Sequence, residues 1–111
     1  ILSIIENVGS SNLKACIDTG HVNINSSLSV YDWIDKLGNN LYHMHLHNNY
    51  GTNDEHNSLK NGTLEFDKII EKLNEKDSMP NLAVEIFKES PALESVDYLK
   101  EKLGLNTLIQ G

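Results

Sequence analysis

The sequence predicts an α/β protein of parallel strands, each followed by a helix. Three observations carry this. Three short runs, LKACID, LYHMHLH and NLAVEIF, have the length and apolar character of buried strands. Apolar residues at helical spacing lie between and after them. Ionisable residues gather at the C-terminal end of every strand run, where parallel α/β folds place their function.

In chain order, Ile1, Leu2, Ile4, Ile5 and Val8 keep near-helical spacing, and Gly9 stands where a helix C-cap would. Glu6 belongs to this helix and not to a strand, because the few residues before Leu13 cannot hold a parallel crossover of roughly a dozen residues. Leu13 to Asp18 is the first strand. Ser26 or Ser27 caps a helix whose apolar side is Leu28, Val30, Tyr31, Trp33, Ile34 and Leu37, and Gly38 ends it. Leu41 to His47 is the second strand. Asn48 to Gly62 is a polar loop, longer than most connections in compact domains, and such loops are usually functional or disordered. Phe66, Ile69, Ile70 and Leu73 line the next helix. Asn81 to Phe87 is the third strand, opened by Pro80. Ser90 and Pro91 start the last helix as cap and first helical residue, Ala92, Val96, Leu99 and Leu103 line it, and Gly104 ends it. Three strands make a poor complete sheet, so the pattern reads as part of a larger parallel structure, an open sheet or a barrel. The start at Ile1, in mid-pattern, fits a chain whose N-terminal part is missing.

The chain has 111 residues, room for one domain, and a net charge of −7. The acidic balance argues against non-specific nucleic-acid binding, which needs a basic stripe. A single cysteine, Cys16, excludes an internal disulfide and makes a reducing cytoplasm the expected compartment. Inside an apolar run, Cys16 is expected to be a buried, inert thiol. No signal peptide is visible, and no apolar run approaches the roughly 18 residues of a membrane span.

The chemistry-bearing residues converge. Asp18 and His21 close the first strand run, in CIDTGH. His43, His45 and His47 alternate along the second and share one face. Asp54 and His56 lie in the long loop, and Glu85 interrupts the apolar LAVEIF. Imidazoles and carboxylates together suit a divalent metal. A buried Glu85 without a partner is costly, which favours a metal there or an ion pair with Lys88. Each histidine alone reads equally as an exposed strand residue or a packed core ring, and Asp54–Glu55–His56 as a solvated loop. The acids at the other two strand ends turn the alternating histidines into a candidate metal site. No glycine-rich phosphate loop and no G-x-S-x-G elbow competes with it.

CIDTGH, HMHLHNNYGTNDEH, NGTLEF and LAVEIF together resemble the C-terminal half of the sugar phosphate isomerase/epimerase superfamily. These are xylose isomerase-like TIM barrels that include the endonuclease IV enzymes (AP endonuclease family 2). The resemblance runs from about Asn12 to Leu103. It implies that residues 1–111 form the C-terminal fragment of one barrel domain of about 250 residues, holding the fifth to seventh of its eight strands. It implies metal ligands at Asp18, Glu85 and a second-strand histidine, His45 or in the rival register His47. The fourth-strand glutamate of the family has no counterpart here. His21 matches a position that binds substrate in the epimerases and metal in the nucleases, and Asp54 and His56 match a pair holding an additional zinc in the nucleases.

The function so implied is a fragment of a divalent-metal-dependent (Mn, Co, Zn or Mg) sugar or sugar-phosphate isomerase or epimerase of carbohydrate metabolism. Protons move through an enediolate, with Glu85 and His21 as catalytic groups. Without the second carboxylate, the fragment alone is expected to be inactive. Its partners would be the small-molecule sugar and the missing N-terminal half of the barrel, or another copy of itself. Two alternatives stand beside it. One is a zinc-dependent apurinic endonuclease, disfavoured because Lys60 and Lys88 are the only cations in the strand-end loops. The other is a non-catalytic half-barrel.

Overall fold

A computed structural model describes residues 14–104. The helix expected at the N-terminus, with Glu6, and the expected strand start at Leu13 lie outside the described residues. The observed order is β1 (Ala15–Asp18), α1 (Thr19–Asn25), α2 (Val30–Leu37), a 3₁₀ turn (Gly38–Asn40), β2 (Leu41–Leu46), α3 (Phe66–Asn74), β3 (Asn81–Val84) and α4 (Glu89–Leu103). The strands form one parallel sheet in the order β1-β2-β3, as expected of successive βα units.

Register assigns the two faces. Ile17 pairs with Met44 and Met44 with Leu82, while Leu46 pairs with Val84. These side chains meet the helices in a core with Val30, Ile34, Leu37, Phe66, Ile69, Ile70, Leu73 and Leu99. The alternate rows, Cys16–His43–Asn81 and Asp18–His45–Ala83, point the other way. No helix covers that face among the described residues, so Cys16 is exposed, contrary to the expectation of a buried thiol. The ordinary burial of parallel strands on both faces needs a second layer, and these strands have one.

Other departures have local causes. Helix α1 is unexpected, because TGHVNIN carries a glycine and several poor helix formers. It forms because the Asp18 carboxylate accepts the His21 backbone N–H at 3.0 Å, capping the turn. Helix α2 is capped by Ser29 in a reciprocal box with Asp32, not by Ser26 or Ser27. Ser26 instead accepts from Trp33 Nε1 at 2.9 Å. Helix α4 begins at Glu89, so Pro91 sits inside its first turn, where no N–H is required. Across the helical layer, Tyr98 donates to Asp67 and Lys102 lies 3.4 Å from the same carboxylate, tying α4 to α3. Strands β2 and β3 stop early, so His47 and Glu85 each lie just beyond a strand end. No helix among the described residues is long and apolar enough to cross a membrane.

Candidate functional site

Two donor groups adjoin at the C-terminal edge of the sheet, bridged by a third, His47, His56 and Glu85, that shares a residue with each. The first is built by strand register. Asp18 ends β1 and pairs laterally with His45. Glu85 leaves β3 but stays aligned, its N–H donating to the Leu46 carbonyl at 3.0 Å. His45 Nδ1 lies 2.9 Å from Glu85 Oε1. Asp18, His45 and Glu85 each offer a ligand atom within 4.8 Å of the others. Glu85 is therefore accommodated by His45 and not by Lys88. His43 is one row deeper, edge-on to His45 with ring centroids 4.9 Å apart, and stays outside this group.

His47 follows β2 and is wholly buried. Its Nε2 lies 2.6 Å from Asp18 Oδ1, which assigns the ring proton to Nε2. Nδ1 then holds a bare lone pair, and it has no hydrogen-bond partner. Burial pushes the His47 pKa down, against the pull of Asp18. The ring fits because Gly20 lies against it. A Cβ at position 20 would fall within the imidazole, so the glycine of the TGH run is a packing requirement.

The second group is built by the long loop. His21 Nε2 and His56 Nε2 each approach Asp54 Oδ2 at 3.2 Å. His47 Nδ1 stands 4.0 Å from Asp54 Oδ1. His56 adopts a positive φ of 53° and stacks on His47 at 3.9 Å. Its Nδ1 faces the Glu85 carbonyl at 2.8 Å, so the proton belongs there. Unless a second proton or a cation intervenes, the Nε2 lone pair then confronts the Asp54 carboxylate. Hydrogen bonding to Asp54 raises the His21 pKa, with partial desolvation opposing it. Partial burial raises the Asp54 carboxyl, but the bonds to His21 and His56 outweigh it and hold the group low.

Two buried asparagines order the loop. Asn48 donates to the carbonyls of Leu59 and Leu64 and accepts from the N–H groups of Asn49 and Leu64. Asn49 donates to the Gly20 carbonyl and accepts from Asn23 and Gly51, pinning the loop to α1. Gly62 allows the loop's return, since a Cβ there would strike Asn48 and the Asn49 carbonyl. Neither asparagine stood out in the sequence; the one signal was an Asn pair where a strand meets a long loop. Phe87, expected at the end of the third strand, lies beyond β3. It is 80% exposed and stacks on His56 at 4.4 Å. Beside these two rings a cleft of about 550 Å³ reaches Lys60, Lys88 and Glu94.

Acids and imidazoles gathered at the C-terminal ends of parallel strands define the functional edge of a parallel α/β fold, an open sheet or a barrel. The particular family follows from comparison. Residues 1–102 match the xylose isomerase-like TIM barrel family, and the chain belongs to it. An uncharacterized protein of Methanocaldococcus jannaschii is 30% identical over 106 residues, covering 95% of this chain and 36% of that protein. A crystal structure of a D-tagatose 3-epimerase-like protein superposes with a TM-score of 0.74 at 31% identity, covering 94% of this chain and 40% of that one. The chain thus spans well under half the length of these relatives.

Proposed function

We propose that residues 1–111 are the C-terminal part of one xylose isomerase-like barrel, and that the barrel is a divalent-metal-dependent sugar or sugar-phosphate isomerase or epimerase. The observation that carries this reading is the convergence of Asp18, His45 and Glu85 from three adjacent strand ends. Two carboxylates and an imidazole are a donor set for manganese, cobalt, zinc or magnesium. The adjoining buried His47 Nδ1 without a partner and the His56 lone pair facing Asp54 are further arrangements that a cation would relieve. A metal held by Asp18, His45 and Glu85 would act as a Lewis acid toward adjacent sugar oxygens.

The chain's own residues do the rest. Glu85, at the strand end, accepts the proton from the carbon next to the carbonyl on one face, and the second carboxylate delivers a proton to the opposite face. His21, on the rim of the site, binds and orients a sugar hydroxyl. The cleft beside His56 carries both signs of charge, Lys60 and Lys88 against Glu55 and Glu94, and suits a polar substrate. The second carboxylate of a two-base proton transfer would come from the rest of the barrel, so this chain by itself would not turn over.

The test is metal content and ketose epimerisation of the protein with its complete barrel, beside Glu85→Gln. The reading requires about one strongly bound divalent ion and a loss of at least about 10³-fold on substitution. Full activity of Glu85→Gln would sink it. One observation favours a second reading: His21, Asp54 and His56 form a second donor group, to which His47 Nδ1 adds a third nitrogen nearby. Such a group suits the additional zinc of an apurinic endonuclease. Incision of an abasic-site duplex would move the assignment there.

A further inference from the structure

We propose that Thr19 is a positioning residue for the site, its buried hydroxyl fixing the end of β2 so that His45 and His47 meet Asp18 in register. This rests on the metal-site reading above and adds a residue to it.

Thr19 is fully buried. Its Oγ1 accepts the His47 N–H at 3.1 Å and lies 2.9 Å from the His47 carbonyl and 3.1 Å from the His45 carbonyl. One hydroxyl proton serves the two carbonyls, and one lone pair serves the amide. The need arises from the topology. The β1–β2 ladder ends at the Asp18–His45 pair because the chain turns into α1 at Thr19. Beyond that pair β1 offers no backbone partner to His47. The hydroxyl stands in for the absent strand, extending the ladder by one residue on a side chain. That residue is His47, whose ring reaches back under Gly20 to Asp18. The Asp18 side chain, the Thr19 hydroxyl and the close approach at Gly20 thus act on one short segment of β2 from three consecutive positions.

Valine at position 19 keeps the shape and removes the hydroxyl, whereas serine keeps the hydroxyl. The test is a cobalt(II) titration followed by the absorbance of the bound ion. Thr19→Val is expected to weaken binding by about tenfold or more, as loss of groups that orient metal ligands does, while Thr19→Ser stays within about threefold of wild type. A folded Thr19→Val protein with wild-type affinity overturns the proposal. Should Thr19→Val fail to fold, Thr19→Ser decides, and a tenfold loss there overturns it. A second readout needs no metal. In the metal-free protein the His47 Nε2–H bonded to Asp18 should give a low-field, slowly exchanging proton resonance in wild type and Thr19→Ser, lost in Thr19→Val. If wild type binds no cobalt, the metal reading fails and this resonance alone judges Thr19. Its persistence in Thr19→Val counts against the positioning role.

Discussion

The two donor groups are neighbours, yet they are assembled by different physics. Asp18, His45 and Glu85 are placed by the parallel ladder, each within one residue of a hydrogen-bonded strand. His21, Asp54 and His56 are placed by a helix of about two turns and a loop, whose order depends on two buried amide side chains. The first inherits its precision from the core beneath it. The second holds together only while the loop's own polar bonds hold. Coupling between them runs through Asp18, whose carboxylate holds both the His21 N–H and the His47 ring, through the stacking of His47 on His56, and through His56 Nδ1 at the Glu85 carbonyl.

The largest effect should come from cutting that link. Asp18→Ala removes the α1 cap, worth about 1 kcal/mol. It also strands the buried His47 Nε2–H, costing about 1–3 kcal/mol more. Urea unfolding should register a loss of roughly 2–4 kcal/mol. Asp54→Ala, at a carboxylate that is nearly half exposed, should leave the urea midpoint nearly unchanged. Equal losses at the two aspartates would erase the distinction between the groups.

Next in size is Asn48→Ala, which unpairs several loop backbone groups at once and should cost about 2–3 kcal/mol. Hydrogen exchange should show faster amides at Asn49 and Leu64, with the β1 and β2 amides unchanged. Acceleration in β1 would mean that the loop supports the sheet and not the reverse.

Smaller, and opposite in sign, are two histidine titrations in the metal-free protein. The His21 pKa is raised, so its bond to Asp54 stabilises the fold below the ordinary value of about 6.5 and is lost as pH rises through the raised pKa. Its exposure keeps that contribution small. The His47 pKa is lowered, so below about 6.5 the unfolded chain takes up a proton that the folded ring refuses, and stability falls as pH drops. Nitrogen-detected NMR should find the two midpoints on opposite sides of about 6.5. Midpoints on one side would contradict the assigned environments. Phe87→Ala is the mildest change. The exposed ring contributes little to folding, so the midpoint should hold, while the His56 ring signals shift as their stacking partner goes.

How much of this was legible in the sequence follows the same division. The alternation of strands and helices carried the parallel order, and the strand period of two carried the shared face of His43 and His45, while His47 lies past the strand end and is buried. Helix α1 was not legible, since its residues disfavour helix and its cap is the same Asp18 that marks the site. The exposure of Cys16 was not legible, because an apolar run says how a strand is built and not whether both faces are covered. The loop's order was hidden for another reason. Asn48 and Asn49 look like solvated residues, and only their bonds to distant carbonyls reveal a polar core.

Those two asparagines also bear on how such a loop changes over time. The fixed points are Asn49 at one end and the Asn48–Asn57 bridge with Gly62 at the other, and residues 51–55 between them are all exposed. Chain added at that tip leaves both anchors intact, and closing a longer loop costs only a slowly rising entropy. Residues 51–53, ahead of Asp54, are therefore the place where this edge of the molecule can take insertions. Relatives could acquire new coverings over one strand-end chemistry without rebuilding the strands that deliver it.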